Sequence, residues 1–151
     1  MAGNAVIKGH SIHRTVRVEA PLDTVWIAIS SLEGIRSWFS DTITETPVEV
    51  GATGIFGWDG FGDFPFEITA IEPSSAFEYR WSGEPAETLD PADSTIVRFT
   101  LESDGDATLV TVVESGFENL EGGTAYRRHR LEQNRDGWNI ELDELIAALE
   151  N

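Results

Sequence analysis

The amino-acid sequence predicts an α+β fold in which a curved antiparallel sheet of about seven strands wraps a long C-terminal helix. Three observations carry that expectation. Residues 42–115 alternate apolar and polar positions with a period of two, interrupted by regular turn signals. The stretches 22–32 and 124–150 instead carry apolar side chains at three- and four-residue steps. At 151 residues and without cysteine, the chain has the usual size of one domain and is large enough to bury a core without staples.

The first strand is expected within "SIHRTVRVE", where Ile12, Arg14, Val16 and Val18 share one face. Residues 1–10 before it read as an N-terminal tail, and residues 11–151 as a single domain. Pro21 suits the first turn of a helix. Leu22, Val25, Trp26, Ile29 and Leu32 then recur at helical spacing up to Gly34, and "IRSWF" adds a short second helical turn. About six strands follow, and two of their hairpin registers can be worked out. The Asp104-Gly105 pair favours a two-residue turn, which sets Phe99 opposite Val110, Val97 opposite Val112 and Thr95 opposite Glu114. A four-residue loop from Glu72 to Ser75 sets Ala70 opposite Phe77, Ile68 opposite Tyr79 and Phe66 opposite Trp81. That face is aromatic along its length. The final helix, from about Thr124 to Glu150, aligns Leu131, Trp138, Leu142, Leu145 and Leu149 on the side that one sheet face must cover.

Charge and motifs narrow the function. Asp and Glu outnumber Lys and Arg by 27 to 10, giving a formal net charge of -17. A phosphate backbone or an anionic membrane is repelled at long range, so neither nucleic acid nor a membrane surface is an expected partner. No apolar run approaches the length that spans a bilayer and no leader pattern is seen, so the chain reads as soluble and cytoplasmic. His10 and His13 stand three apart and His129 lies far along the chain, so no metal site is expected. "GATGIFGWDGFGD" lacks the strand-loop-helix context of phosphate binding and reads as a bent or bulged hairpin. No cofactor is implied.

Four segments together carry a resemblance: "EAPLDTVWIAISSLEGIRSWFSD", "AIEPSSAFEYRWSG", "TLVTVVESGF" and "DGWNIELDELIAALE". Val25-Trp26, Trp38-Phe39, the Glu-Pro turn before an aromatic strand, Gly116-Phe117 and Gly137-Trp138 occur in the order of one known family. The chain resembles the activator-of-heat-shock-protein-ATPase homologue-like family over Ile12 to Glu150. That family belongs to the START-related, polyketide-cyclase-like helix-grip superfamily. The resemblance implies a helix-grip fold and a cavity between the long helix and the concave sheet. It does not carry over a single activity, because the superfamily spans ligand carriers, cyclases and co-chaperones.

Within that frame, the helix is apolar over 138–149, whereas its earlier turns supply Arg127, Arg128, His129, Arg130, Asn134 and Arg135 around Leu131. An aromatic sheet face beneath a cover that turns polar places the void under the first half of the helix. The expected lining is Trp38, Phe66, Tyr79, Trp81, Phe99 and Glu114, with Tyr126, Arg130 and Asn134 from the helix, while Phe77 is expected in the core. Aromatics on a covered strand face are more often plain core. Glu114 and Tyr79 are the candidate acid or base, because a carboxylate and a hydroxyl on an apolar face need partners or water. The competing reading of Glu114 is a strand-end carboxylate that reaches solvent or pairs with an arginine. Arg127 and Arg130 suit an anionic ligand at the cavity mouth, whereas Arg128, Glu132 and Asp136 read as surface pairs. Three function classes follow. Binding of a small, largely hydrophobic molecule, with or without a carboxylate, ranks first; a cyclase- or hydrolase-type enzyme in the same cavity and a protein-binding, co-chaperone-like regulator are the alternatives. A homodimer is compatible with each.

Overall fold

The computed structural model describes residues 3–150. Eight antiparallel strands form one sheet in the order β1-β2-β8-β7-β6-β5-β4-β3. The strands are β1 (Val6–Lys8), β2 (Ser11–Val18), β3 (Thr42–Ile43), β4 (Thr53–Trp58), β5 (Gly62–Glu72), β6 (Ala76–Trp81), β7 (Thr95–Asp104) and β8 (Ala107–Ser115). Two short helices, α1 (Leu22–Ser30) and α2 (Leu32–Trp38), follow β2, and the long helix α3 (Thr124–Leu149) closes the chain. This is the helix-grip architecture with one strand more than expected. The addition is β1, which lies inside the segment expected to be a tail and pairs with β2 through Val6 and His13, Ile7 and Ile12, and Lys8 and Ser11. A three-residue strand is too short to show a period of two, so the alternation argument could not find it.

The two helices after β2 meet at Ser31, earlier than the expected end near Gly34. Ser31 is extended rather than helical, donates its hydroxyl to Ile27 O at 2.6 Å and accepts the Gly34 N–H at 3.0 Å. One side chain thus ends α1 and caps α2. Gly34 permits the tight corner, because a Cβ there would sit 2.2 Å from the Ile27 carbonyl oxygen.

Hairpin registers differ from expectation in an instructive way. In the β7–β8 hairpin Asp104 pairs with Ala107, so the two turn residues are Gly105 and Asp106, and Phe99 faces Val112 while Val97 faces Glu114. Gly105, at φ 64, takes the first central position of the turn, where a primed turn wants glycine. The pairing is displaced by two residues in all. Each side chain therefore keeps its expected face, and Val97, Phe99, Val110, Val112 and Glu114 are all buried. In the β5–β6 hairpin Phe66 faces Trp81 and Ile68 faces Tyr79 as expected, but a bulge between Ile68 and Ala70 brings Ile71, not Ala70, opposite Phe77.

The concave face is an aromatic core. Phe56 and Phe66 stack at 4.3 Å between ring centroids, Phe39 stacks on Trp138 at 5.8 Å, and Phe99 meets Trp138 edge-on at 5.8 Å. From α3, Leu131, Trp138, Leu142 and Leu145 are buried and Leu149 packs at the margin. Arg14 of β2 holds the middle of α3 in place. Its side chain, 4% exposed, donates to the carbonyls of Trp138 and Asn139 at 3.2 and 2.9 Å and pairs with Asp143 at 2.7 Å. The helix is thereby drawn toward the β1–β2 edge of the sheet. Trp138→Ala is expected to cost about 3–5 kcal/mol in denaturant unfolding, since it removes a buried aromatic that three further rings touch. A loss below about 1 kcal/mol contradicts this packing.

Candidate functional site

Glu114 lies at the end of β8 with 0% exposure, on the face that α3 covers. Its Oε2 accepts hydrogen bonds from Trp81 Nε1 at 2.9 Å, Thr95 Oγ1 at 2.5 Å and Asn134 Nδ2 at 3.0 Å. Its Oε1 accepts from Trp138 Nε1 at 2.8 Å and Asn134 Nδ2 at 3.2 Å. Every hydrogen-bond partner is a donor, as a buried carboxylate requires. The bonds come from β6, β7 and α3, so this group ties sheet to helix.

A second polar knot closes the first turns of α3. Arg130, also 0% exposed, donates through Nη1 to Asp93 Oδ1 at 2.9 Å and to the Tyr126 hydroxyl at 2.6 Å, and through Nη2 to Ser82 O at 2.7 Å. Tyr126 OH reaches Glu84 Oε2 at 3.1 Å and Asp93 Oδ1 at 3.0 Å. The loop between β6 and β7 is therefore clamped onto the first turns of the helix.

The opening lies further along. A cleft of about 460 Å³ runs between the middle of α3 and the β4–β5 hairpin, walled by Phe39, Trp58, Phe64, Trp81 and Trp138. Gly137 lies on its helical side and Phe61 and Ile140 stand at its rim, 76% and 61% exposed. A helix held at the β1–β2 edge diverges from the far end of a curved sheet, and the cleft is the gap that remains. Its charged lining is Glu84, Asp136 and Glu141, with no basic residue. Glu141 is unusual among these. Its Oε2 is shielded from solvent and has no hydrogen-bond partner. Burial first, then repulsion from Glu144 and Asp41, pushes its carboxyl from the ordinary 4.5 up to about 8.

With this geometry in view, comparison with known proteins decides the family. The sequence profile described as "Activator of Hsp90 ATPase homolog 1-like protein" matches residues 19–150. The chain belongs to this family. No curated protein matches it. Among solved structures, DynU16 of the dynemicin biosynthetic locus is 25% identical at a TM-score of 0.75, with 95% of this chain covered. The match covers 48% of DynU16, so the chain spans about half of that protein's length. CalU16 from Micromonospora echinospora is 21% identical with a TM-score of 0.68, covering 99% of this chain and 85% of its own. The Aha1 dimer from Colwellia psychrerythraea is 22% identical with a TM-score of 0.69, covering 93% and 96%. The last two likenesses concern the fold alone. No described helix is long and apolar enough to cross a membrane.

For a helix-grip chain of the Hsp90-ATPase-activator-like family, the residues expected to line a cavity fall into four places. Trp81 and Asn134 are in the cleft wall. Glu114 lies just behind them, bonded to both. Phe66, Phe99 and Trp38 are core, with Trp38 Nε1 donating to Ala28 O at 2.8 Å. Tyr79 is 2% exposed and its hydroxyl has no partner. Burial, then the Glu114 and Glu141 carboxylates, hold its proton on well above the ordinary phenol range, which makes it a poor proton donor. Phe66 and Tyr79 border a void of about 10 Å³, far too small for a ligand. Tyr126 and Arg130 belong to the loop clamp. Arg127 donates to Leu120 O at 3.0 Å, and Arg128 pairs with Glu132 at 3.2 Å as expected of a surface pair. The cavity thus opens beside the middle of the helix and not beneath its first half, because Arg130 and Asn134 are held by Asp93, Ser82 O and Glu114. Sequence reasoning missed Trp58, Phe64, Gly137 and Glu141. The available signals were the aromatics within a glycine-rich hairpin and a glycine next to Trp138.

Two outcomes follow. Glu114→Gln is expected to cost about 2–4 kcal/mol in denaturant unfolding, since the amide nitrogen must face donors whichever way it turns. The pH dependence of Glu141 has a definite sign: the folded state keeps its proton up to about 8, the unfolded chain loses it near 4.5. Relative to Glu141→Gln, the wild type is therefore expected to lose stability as pH rises through that window, by up to about 4 kcal/mol, and to lose no more above it. Parallel urea melts of both proteins from pH 4 to pH 9 read this difference; parallel curves contradict it.

Proposed function

We propose that the protein binds a small, largely hydrophobic molecule in the cleft between α3 and the β4–β5 hairpin. The observation that carries this reading is the cleft itself: about 460 Å³, within the range of small-molecule sites, and walled by aromatic side chains. Exposed Phe61 and Ile140 at its rim extend the apolar surface outward. Family membership and the helix-grip fold support the same reading, since the superfamily is expected to place ligands between sheet and helix.

Turnover in the same cleft ranks second. Both oxygens of Glu114 are engaged by donors, and Tyr79 has no contact with the cleft, so neither former candidate is placed to move a ligand proton. An anionic ligand is disfavoured, because Arg130 is committed to Asp93, Tyr126 and Ser82 O and the cleft wall holds no basic group.

The test exploits Gly137. A Cβ at this position would meet no atom within 4 Å, so a larger side chain projects into open space while the fold is kept. Gly137→Ala is expected to raise stability by roughly 0.5–1 kcal/mol, the ordinary helix gain. Gly137→Leu is expected to keep the fold and weaken by at least tenfold the binding of naphthyl probes, followed through tryptophan fluorescence and thermal shift. Binding that is absent in the wild type, or as tight in Gly137→Leu, overturns the proposal.

A further inference from the structure

The charged groups of the cleft have one sign. Glu84, Asp136 and Glu141 line it and no lysine, arginine or histidine does. Three tryptophans, Trp58, Trp81 and Trp138, supply the rings with the greatest affinity for cations. Glu141 stands one turn beyond Trp138 on α3, with one carboxyl oxygen buried and unpartnered. A buried carboxylate without a donor or counter-ion is costly, and a positively charged group beside it removes that cost. The protein as a whole, at -17, attracts cations toward the cleft.

Resting on the cleft reading above, we infer that the ligand is a cationic amine with an apolar or aromatic body, its ammonium group held against the tryptophan rings with Glu141 as counter-ion. Charge complementarity selects this occupant over a neutral or an anionic one. The titratable groups close enough to act electrostatically on Glu141 are Glu144 on its own helix, Asp41 after α2 and Tyr79 on β6, with Asp136 and Glu84 elsewhere in the cleft. None is a base that would compete with the ligand for the carboxylate.

Binding is then linked to pH with a fixed sign. In the free protein the Glu141 carboxyl holds its proton up to about 8. A cation binds the ionised form, so a proton leaves on binding at neutral pH. Affinity for a permanently charged ligand therefore rises with pH and levels off above about 8. A neutral ligand that accepts the carboxyl proton behaves in the opposite way.

The experiment uses three probes on one naphthylmethyl body: (1-naphthylmethyl)trimethylammonium, its neutral carbon isostere 1-(2,2-dimethylpropyl)naphthalene, and the anion 1-naphthylacetate. They are titrated against the wild type, Glu141→Gln and Gly137→Leu at pH 6 to pH 9 by calorimetry and fluorescence. The expected result has four parts. The ammonium probe binds at least tenfold tighter than either of the others at pH 8. Its affinity increases roughly 10- to 100-fold from pH 6 to pH 9. Its binding heat at pH 7 depends on buffer ionisation enthalpy, as proton release requires. Glu141→Gln lowers its affinity to near the wild-type value at pH 6 and flattens the pH profile. If the neutral or anionic probe binds as tightly while Gly137→Leu still blocks it, the cleft stands and the charge inference falls. Should no probe bind the wild type, or Gly137→Leu leave all binding unchanged, both fall together.

Discussion

A carboxylate with no access to water organises this molecule. Glu114 sits among apolar side chains, where an ion without donors is strongly disfavoured, and the chain meets that requirement from three directions. Trp81 of β6 and Thr95 of β7 donate along the sheet, and Asn134 and Trp138 donate from the helix above. Helix rotation and helix height are thereby both specified. A turn of α3 about its axis would carry Asn134 and Trp138 away together, since they stand four residues apart on one face. Apolar packing alone tolerates small slides of a helix over a sheet; hydrogen bonds to one buried group do not.

The cleft follows from the same constraint. With α3 anchored by Glu114 and drawn by Arg14 toward the β1–β2 edge, it does not track the sheet's curvature out to β4 and β5. The resulting gap is walled by aromatics because the concave face is aromatic. It is acidic because the basic side chains near it are already used: Arg130 by the loop between β6 and β7, Arg14 by helix carbonyls. Gly137 keeps the helical wall thin at the point where a larger residue would project into the gap. The two indoles that bind Glu114, those of Trp81 and Trp138, also form the cleft wall. The structural anchor and the ligand site therefore share side chains, so a substitution at either tryptophan disturbs both, and Gly137 and Glu141 are the positions where the two separate.

Much of the architecture was legible because it is written in local periods. The α3 stripe from Leu131 to Leu149 and the buried face of β2 were read correctly from spacing alone. The face assignments of β7 and β8 survived a misplaced turn, since the pairing moved by two residues and a strand repeats every two. The bulge at Thr69 was not legible: its effect on Ala70 and Phe77 depends on how β5 bends against β6, and no local signal marks it. β1 was missed for want of length, and the break at Ser31 because a single serine both ends and starts a helix.

Apart from β1 and the break at Ser31, the sequence by itself determined the kinds of element, their order, which side chains turn inward and the family to which they belong. The first three rest on spacing along the chain and on the chemistry of single residues, and the family on the order of its matching motifs. Tertiary structure decided which inward polar groups are satisfied and where space is left over. Arg130 and Asn134 looked like the polar end of an apolar stripe, and only the arrival of Asp93, Ser82 and Glu114 from distant segments made them structural. Glu141 looked like one acid among many on a helix, and only its position in the cleft wall, with one carboxyl oxygen buried and unpartnered, set it apart. A residue's type is local, whereas its hydration and its partners depend on segments that meet only when the chain is folded.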